Sequence, residues 1–577
     1  MKRICSLLLV TVLSFCSLGC GQTALNAVAA SFLGIPLAPE QAPQAHPHTA
    51  LSFAQLNDDA PDLDLELARS RELLFRIRNG ECTGTDAQRL LDCRIEAFRR
   101  LRTAAAIAYV RYCADAADAA KKQAYDRLSV ALEELACILI DAQLALSVDP
   151  SLSDRYDEET VSQLKQADAL HDLSVQPLIE REQERIGAYE ALGSLTVSYR
   201  GREWTKEEIL SDETLTYDAF SELYKSYRRA YNAAAGAIYL DLIAIRRETA
   251  RTLGFASYAE YGYASYARDY SPADAQVLAD SVKRELVPIF TELETAFYEA
   301  SMRLGCGTFR MEPTLKRTET VIRTLLPELI EPWDYMFSHG MYDFGGSGTR
   351  LPGSFTTYFE TYGTPFLFTT WDDSCDMPTT LLHEFGHCAG YYLNGVQRMQ
   401  SRDPLDLAEI DSQGLELLAV SQYDILYGAL ADAARLYSVM LALYAVITGC
   451  MEDEFQQYAY RAQNATLDSL NETYARLAEE YGLRGMGLSG ESWTEISHTF
   501  RAPMYYISYA TSMLAALQLL VRSETDAEGA ARAYRAILMR PIGATFLDTI
   551  RAAGLRDPFE PETVTALAQK IRAMCVE

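Results

Sequence analysis

The stretch Leu381-Leu-His-Glu-Phe-Gly-His-Cys388 contains the pattern His-Glu-x-x-His. Residues four positions apart share one face of an α-helix, so His383 and His387 can bind one metal ion from the same side. Glu384 lies beside that face, where its carboxylate can take a proton from a water molecule on the metal. Apolar residues around the motif predict a buried helix that stops near Gly395. The stretch therefore indicates a zinc-dependent hydrolase, against the simpler alternative of a core helix with two hydrogen-bonded histidines.

A catalytic zinc ion takes three protein ligands and keeps one position for water. Leu393 stands where one large class of zinc peptidases has a third histidine, so that class is excluded. The other common arrangement places a glutamate on a separate helix downstream, and residues 405–418 predict such a helix. Polar residues share one face of this helix, namely Asp406, Glu409, Gln413 and Glu416. Glu409, which has apolar neighbours, is the predicted third ligand, and Glu416 is predicted to hydrogen-bond a ligand histidine; a solvated helix face is the alternative.

The composition is that of a globular protein with an acidic surface. The 577 residues are 49% hydrophobic and 23% charged, and the formal net charge is -28. Such a charge argues against nucleic acid or an anionic membrane surface as a partner. The 12 cysteines include no Cys-x-x-Cys pair, so no structural zinc site is expected. Cys82 and Cys93 are close enough in sequence to form a disulfide.

Changes in composition divide the chain into four parts. Residues 1–20 combine two basic residues with an apolar run, which is typical of a signal peptide. Because the run ends in Leu-Gly-Cys20, we expect a lipoprotein signal, with a lipid anchor at Cys20 as the membrane contact and simple secretion as the alternative. Residues 21–60 are rich in Ala, Pro and Gln and predict a flexible tether. Residues 61–190 predict an N-terminal helical domain, and residues 191–577 a zinc metallopeptidase domain. Both should lie outside the cytoplasm.

The periodicity of apolar residues predicts helices along most of the chain, with three exceptions. Residues 191–210 predict a short β-hairpin around Tyr199-Arg-Gly-Arg202. Glycines between residues 345 and 353 predict a flexible loop without a phosphate-binding motif. Thr364–Trp371 predicts a strand that leads into the zinc helix. An edge strand beside a peptidase zinc can hold the substrate backbone by adding it to the sheet.

Several segments together resemble a known family of peptidases. They are Met341-Tyr-Asp343 ahead of the glycine-rich loop, the zinc motif, Ala408-Glu-Ile-Asp-Ser-Gln413 with Glu416, and Trp493 with His498-Thr-Phe-Arg-Ala-Pro-Met-Tyr-Tyr-Ile-Ser-Tyr-Ala510. Over roughly residues 200–570 the chain resembles the thimet oligopeptidase and oligoendopeptidase F family of zinc metallopeptidases. The resemblance implies one Zn²⁺ per chain, with the glutamate of a Glu-x-x-Ser segment, Glu409, as the third ligand. One departure is Gly390, where the family often has another histidine.

The resemblance also implies a fold and a function. The expected fold is mainly α, a large helical body with a deep substrate channel and a small β element beside the zinc helix. The expected activity is that of a zinc-dependent oligoendopeptidase, in which Glu384 activates the water that attacks internal bonds of short unfolded peptides. His498, Tyr506 and Tyr509 are expected to bind substrate and stabilise the oxyanion, with aromatic core packing as the alternative. Tyr505 is expected to be structural.

Two other functions stay open at this stage. One is a peptide-binding lipoprotein that keeps the fold without catalysis, although the intact Glu384 and ligand set argue against it. The other is a peptidase that trims peptide ends, such as a dipeptidyl-carboxypeptidase or a carboxypeptidase. An end-trimming enzyme needs a cation to hold the terminal carboxylate, and Arg350 and Arg501 are the candidates.

Overall fold

The computed structural model describes most of the chain after residue 47. The described residues are 48–56, 60–158, 160–161, 164–165, 173–400, 404–541 and 543–576. The predicted signal peptide with Cys20, and most of the predicted tether, lie outside the described residues. Within them, helices dominate and the sheets are small, which confirms the predicted mainly α fold.

The first helices form a unit with a core of its own. They are α1 (Leu63–Arg78), α2 (Gly84–Ala114) and α3 (Ala119–Leu146), and α4 (Gln176–Ala191) follows. Asp62 caps α1, because its side chain accepts a hydrogen bond from the backbone N–H of Leu65 at 2.9 Å. The three helices α1–α3 enclose a buried apolar cluster, and the C-terminal part of α2 extends into the main core of the protein.

A hairpin and a series of helices lead from this unit toward the zinc motif. As predicted, β1 (Val197–Tyr199) and β2 (Arg202–Trp204) form an antiparallel hairpin. The next helices are α5 (Lys206–Ser211), α6 (Tyr217–Thr252), α7 (Tyr258–Ser265), α8 (Pro272–Glu285), α9 (Val287–Leu304), α10 (Met311–Leu325) and α11 (Ile330–Ser338). Because α4 packs against α6, contacts cross the predicted domain boundary at residue 190, which stays a prediction.

A three-stranded sheet lies between α11 and the zinc helix. Its strands are β3 (Tyr342–Gly346), β4 (Ser354–Phe359) and β5 (Thr364–Trp371), in the order β3-β5-β4. The predicted strand is confirmed as β5, but it lies in the centre of the sheet, parallel to β3 and antiparallel to β4, so the edge strands are β3 and β4. An almost fully buried strand is typical of a central position. The predicted glycine loop is wrong for Gly345 and Gly346, which belong to β3.

The C-terminal half is helical. Its helices are α12 (Met377–Gln400), α13 (Leu405–Leu418), α14 (Tyr423–Tyr427), α15 (Ala431–Arg461), α16 (Leu467–Glu480), α17 (Ser497–Arg501), α18 (Ile507–Ser523), α19 (Ala527–Leu538), α20 (Phe546–Ala552) and α21 (Pro561–Val576). The predicted stop of α12 near Gly395 is wrong. A Cβ at Gly395 would lie 2.0 Å from the phenol oxygen of Tyr358, so this glycine makes room for a packed side chain rather than ending the helix.

The stretch Leu405–Arg461 forms part of the main core. Within the described residues it is the stretch whose length and composition fit a membrane span. A window of 18 residues in it has a mean hydropathy of 1.5, and 67% of this window is buried inside the protein. The apolar run Val439–Ile447 within it packs into the main core. Cys82 is buried whereas Cys93 is exposed, and both are free thiols, so the disulfide suggested by their spacing does not form.

Candidate metal centre and peptide channel

The close approach of α12 and α13 determines the geometry of the site. A Cβ at Gly386 would lie 2.3 Å from the backbone oxygen of Asp411, so the two helices approach at a distance that only glycine permits. The side chain of Asp411 forms a buried ion pair with Arg540, at 2.8 and 3.1 Å. Its backbone oxygen accepts a hydrogen bond from the phenol of Tyr534 at 2.5 Å. The contact at Gly386 places α13 against α12, and the contacts of Asp411 hold α13 to α19 and the residue Arg540 that follows it, so that Glu409 lies beside the histidines.

His383, His387 and Glu409 form one compact, buried group. Each offers one ligand atom, and these atoms lie within 4.8 Å of one another. Nε2 of His383 is 3.8 Å from Oε2 of Glu409, and the two imidazole rings stand at 82° to each other with centroids 5.1 Å apart. Two imidazoles and one carboxylate are the donor set of many catalytic zinc sites, so the three side chains fit a zinc ion.

Neighbouring side chains orient these candidate ligands. Oε2 of Glu416 lies 3.4 Å from Nδ1 of His383, which is the contact predicted for Glu416. The phenol of Tyr505 donates to Oε1 of Glu409 at 3.4 Å, and the hydroxyl of Ser412 lies 3.5 Å from Oε2. Burial raises the pKa of Glu409, while His383 and these hydroxyl donors lower it. The sequence predicts only a structural role for Tyr505, but its phenol also contacts the candidate ligand Glu409.

Glu384 is buried next to the candidate metal ligands, and its carboxylate is held by β4, an edge strand of the sheet. The hydroxyl of Thr356 in β4 lies 2.9 Å from Oε2 of Glu384 and 2.8 Å from its backbone oxygen. Burial raises the pKa of Glu384 to about 7, and the nearby His383 and the Thr356 hydroxyl lower it. A carboxyl group with a pKa near neutrality can both accept and return a proton, which is what a general base and acid needs.

The polar face predicted on α13 has three different environments. Asp406 is fully buried away from the histidines, where it accepts hydrogen bonds from Tyr270 at 2.8 Å and from Thr511. Glu409 faces the histidines, and Gln413 and Glu416 line a cavity. The alternative of a solvated helix face is wrong, since only Glu416 of these side chains has appreciable exposure, 21%.

This cavity, of about 350 Å³, reaches the candidate metal group at His383. Its lining includes His383, Glu416, Tyr506 and Tyr509, with Tyr444, Tyr474, Met513, Leu441 and Leu488 among the remaining residues. The mixture of aromatic, aliphatic and polar groups suits an extended peptide. We call this space the channel.

The three residues predicted to donate hydrogen bonds to the substrate lie close together but differ in their access to the channel. Tyr506 and Tyr509 line the channel, with ring centroids 5.3 Å apart. His498 lies in α17, with its ring centroid 5.2 Å from that of Tyr506 and 6.1 Å from that of Tyr509. Burial, and then Arg501, lower the pKa of His498 to about 4, so the imidazole is neutral. Within the described residues, neither of its ring nitrogens has a hydrogen-bond partner.

The cations predicted to hold a peptide end are paired elsewhere. Arg350 forms an ion pair with Asp343 at 3.0 Å, and Arg501 one with Glu190 at 2.6 Å. Two other cations, Lys206 and Arg228, do line the channel. They lie near the start of the predicted metallopeptidase domain, and no local motif marks them. Gly390 stands three residues after His387, where the family often has a histidine, so no side chain is present at that position.

Comparison with known proteins adds the family and the fold. Residues 339–569 match the family model described as Peptidase family M3. A structure provisionally named oligoendopeptidase F has 21% identity and a TM-score of 0.73, with 91% of this chain and 99% of that chain covered. The structure of PZ peptidase A with an inhibitor has 20% identity and a TM-score of 0.73, with the same coverage. Another provisional oligoendopeptidase F, from Bacillus anthracis, has 20% identity and a TM-score of 0.70, with 91% and 98% covered.

None of the curated proteins matches the chain. The likeness to solved structures confirms a fold of large helical bodies, and the family match confirms the resemblance expected from the motifs.

Proposed function

We propose that this chain, which belongs to Peptidase family M3 through residues 339–569, is a zinc-dependent endopeptidase that hydrolyses short unfolded peptides. The observation that carries the proposal is the group His383, His387 and Glu409, whose ligand atoms lie within 4.8 Å of one another at the channel. The family makes the protein a peptidase. The dependence on zinc, the preference for internal bonds and the roles of individual residues are our inferences.

Zinc fits the donor set and its surroundings. Both imidazoles and the carboxylate are buried, and Glu416 supports the orientation of His383 in which Nε2 faces Glu409. When bound, zinc would supply a Lewis acid for the attacking water and the scissile carbonyl. The remaining steps belong to side chains of the protein.

Glu384 is the proposed general base. Its buried carboxylate lies beside the candidate ligands and is oriented by Thr356, so it can take a proton from the attacking water. The same group then delivers that proton to the amine that leaves. A pKa of about 7 matches this double task. Burial raises the pKa of Glu409 as well, while His383 and the hydroxyls of Tyr505 and Ser412 lower it by favouring the charged form that a ligand needs.

Tyr506 and Tyr509 are the proposed donors to the substrate. Both side chains line the channel together with His383 and Glu416, where their phenols can donate to the oxyanion or to the peptide backbone. His498 packs against both rings. Because its imidazole is buried and neutral, we assign it a role in positioning the two phenols, with donation to substrate if a peptide reaches its ring.

The channel supports short peptides as the substrate class. Its volume of about 350 Å³ holds an extended segment and excludes a folded domain. An inactive peptide-binding protein would have no physical need for Thr356 to hold Glu384 beside a complete ligand set. We also propose an extracytoplasmic location with a lipid anchor at Cys20, which a Cys20→Ser variant tests through its distribution between membrane and soluble fractions.

The test is hydrolysis of an internally quenched peptide by the mature protein. We expect activity that a chelator removes and added zinc restores, and that Glu384→Gln lacks although it still binds zinc. The matched control is Glu416→Gln, which keeps Glu384 and should retain part of the activity with weaker zinc binding. Equal hydrolysis by the wild-type protein and Glu384→Gln, or hydrolysis insensitive to zinc removal, would refute the proposal.

A further inference from the structure

Lys206 and Arg228 form a cationic pair in the lining of the channel. Lys206 is the first residue of α5, and Arg228 lies in α6. They share one carboxylate, since Nζ of Lys206 is 2.8 Å from Oε2 of Glu495 and Nε of Arg228 is 3.5 Å from Oε1. Nη2 of Arg228 also donates to the hydroxyl of Ser489 at 2.8 Å. The pair is thus held in place by α5, α6 and the segment before α17.

The charges at this position do not cancel. Two cations share the single carboxylate of Glu495, which leaves one positive charge unmatched at this place in a protein of net charge -28. The other carboxyl groups of the described lining are bonded to different partners, Glu416 to His383 and Glu452 to Tyr474. The side chains of Lys206 and Arg228 are 29% and 22% exposed, so a ligand can reach them while much of the surrounding water is excluded. An ammonium has three donors, and Glu495 uses one of those of Lys206. The other donors remain for an anion.

We infer that Lys206 and Arg228 bind a carboxylate of the substrate peptide, either its C-terminal carboxylate or the side chain of an Asp or Glu. The inference rests on the proposed function, because it concerns a peptide bound in the same channel as the candidate metal group. A carboxylate matches the charge and the donors, and a partly desolvated ion pair with two cations is stronger than a contact in open water. The pair gives the enzyme a preference for peptides with a negative group at one place along the channel.

Glu495 is the internal competitor of that group. It occupies the cations when no peptide is bound and weakens their attraction for a substrate carboxylate. Removing its charge should therefore have an effect opposite to that of removing either cation. This opposite sign separates a specific carboxylate site from general damage to the fold.

The experiment measures peptide binding by fluorescence anisotropy in the zinc-loaded Glu384→Gln background, where no cleavage occurs. The probes are three labelled peptides of one sequence without other acidic residues, ending in a free acid, ending in a carboxamide, or carrying one Glu with a carboxamide end. We expect the free acid or the Glu peptide to bind about tenfold more tightly than the plain carboxamide. Whichever of the two shows the preference identifies the source of the carboxylate.

Variants then test the assignment. Lys206→Met and Arg228→Met should remove the preference, and Glu495→Gln should increase it. Lys283→Met is the matched control, because Lys283 is a partly buried cation 3.0 Å from Glu454 that does not belong to the described lining, and it should leave the preference unchanged. Equal binding of all three peptides, or a preference that survives in Lys206→Met and Arg228→Met, would overturn the inference. Wild-type protein that cleaves none of the peptides would instead refute the proposed function.

Discussion

Replacing Gly386 with alanine tests whether the crossing of α12 and α13 builds the metal site. The added Cβ would lie 2.3 Å from the backbone oxygen of Asp411 and 2.7 Å from Cα of Ser412. Both atoms are backbone, so no side chain can turn away, and the helices must separate by about 1 Å to reach an ordinary contact distance. Overpacking of this kind costs about 1–3 kcal/mol of unfolding free energy.

The same displacement moves Glu409 away from His383. Misplacing one ligand should lower zinc affinity by about 10–100-fold, and an error of about 1 Å in the site should lower kcat by about 100-fold. Zinc affinity is measured by competition with a chromophoric chelator, and stability by thermal unfolding of the metal-free protein. The control is Gly187→Ala, an exposed helical glycine whose added Cβ meets nothing within 4 Å and which should gain about 0.5–1 kcal/mol. Wild-type zinc affinity in Gly386→Ala would refute the reasoning.

Four further substitutions separate the roles of residues around the channel. Thr356→Val removes the hydroxyl that favours the ionised form of Glu384. We therefore expect kcat to fall about tenfold and the acidic limb of the pH profile of kcat to move to higher pH. An acidic limb at the wild-type position would contradict this role of Thr356. Tyr509→Phe should lower kcat by about 100-fold without changing zinc affinity, whereas Tyr505→Phe should lower zinc affinity about tenfold, as chelator competition would show. Burial raises the pKa of Glu452 to about 8 from its ordinary value of 4.5. Between these pH values the folded protein holds a proton that the unfolded chain releases. The free energy of unfolding therefore falls as pH rises from about 5 to about 8. Glu452→Gln should abolish that loss of a few kcal/mol in denaturant titrations, and identical pH dependence in both proteins would contradict it.

The zinc motif could be predicted because it is local. His383 and His387 share a helix face through their spacing alone, and the burial of this helix follows from its apolar neighbours. Glu409 could be predicted as well, since a further helix with a buried carboxylate was visible in the sequence and the family resemblance supplied its role. The structure brings all three together.

Contacts between distant segments could not be predicted. Thr356 reaches Glu384 from β4, a strand that was not predicted, and Tyr505 reaches Glu409 from the segment between α17 and α18. Lys206 comes from the first half of the chain, where periodicity shows helices but not what they face. These residues carry no local signal, because their partners are decided by how the helices pack.

The ends of elements were also misjudged for a physical reason. Glycine is typical of a helix end, yet Gly395 lies inside α12 because the phenol of Tyr358 occupies the space of its missing side chain. Likewise, Gly345 belongs to β3, where the guanidinium of Arg350 occupies the corresponding space. In both cases tertiary packing determines why glycine is there.

Zinc stoichiometry and coordination test the central claim most directly. The mature protein loaded with zinc should contain one ion per chain by mass spectrometry, with X-ray absorption showing two imidazole nitrogens at about 2.0–2.1 Å and carboxylate oxygen at about 2.0–2.2 Å. Glu409→Ala should lose one oxygen ligand and most of the affinity, whereas Asp406→Ala, which alters the buried carboxylate one turn away, should keep the same coordination. A zinc environment that is unchanged in Glu409→Ala, or a folded wild-type protein that binds no zinc, would contradict the assignment.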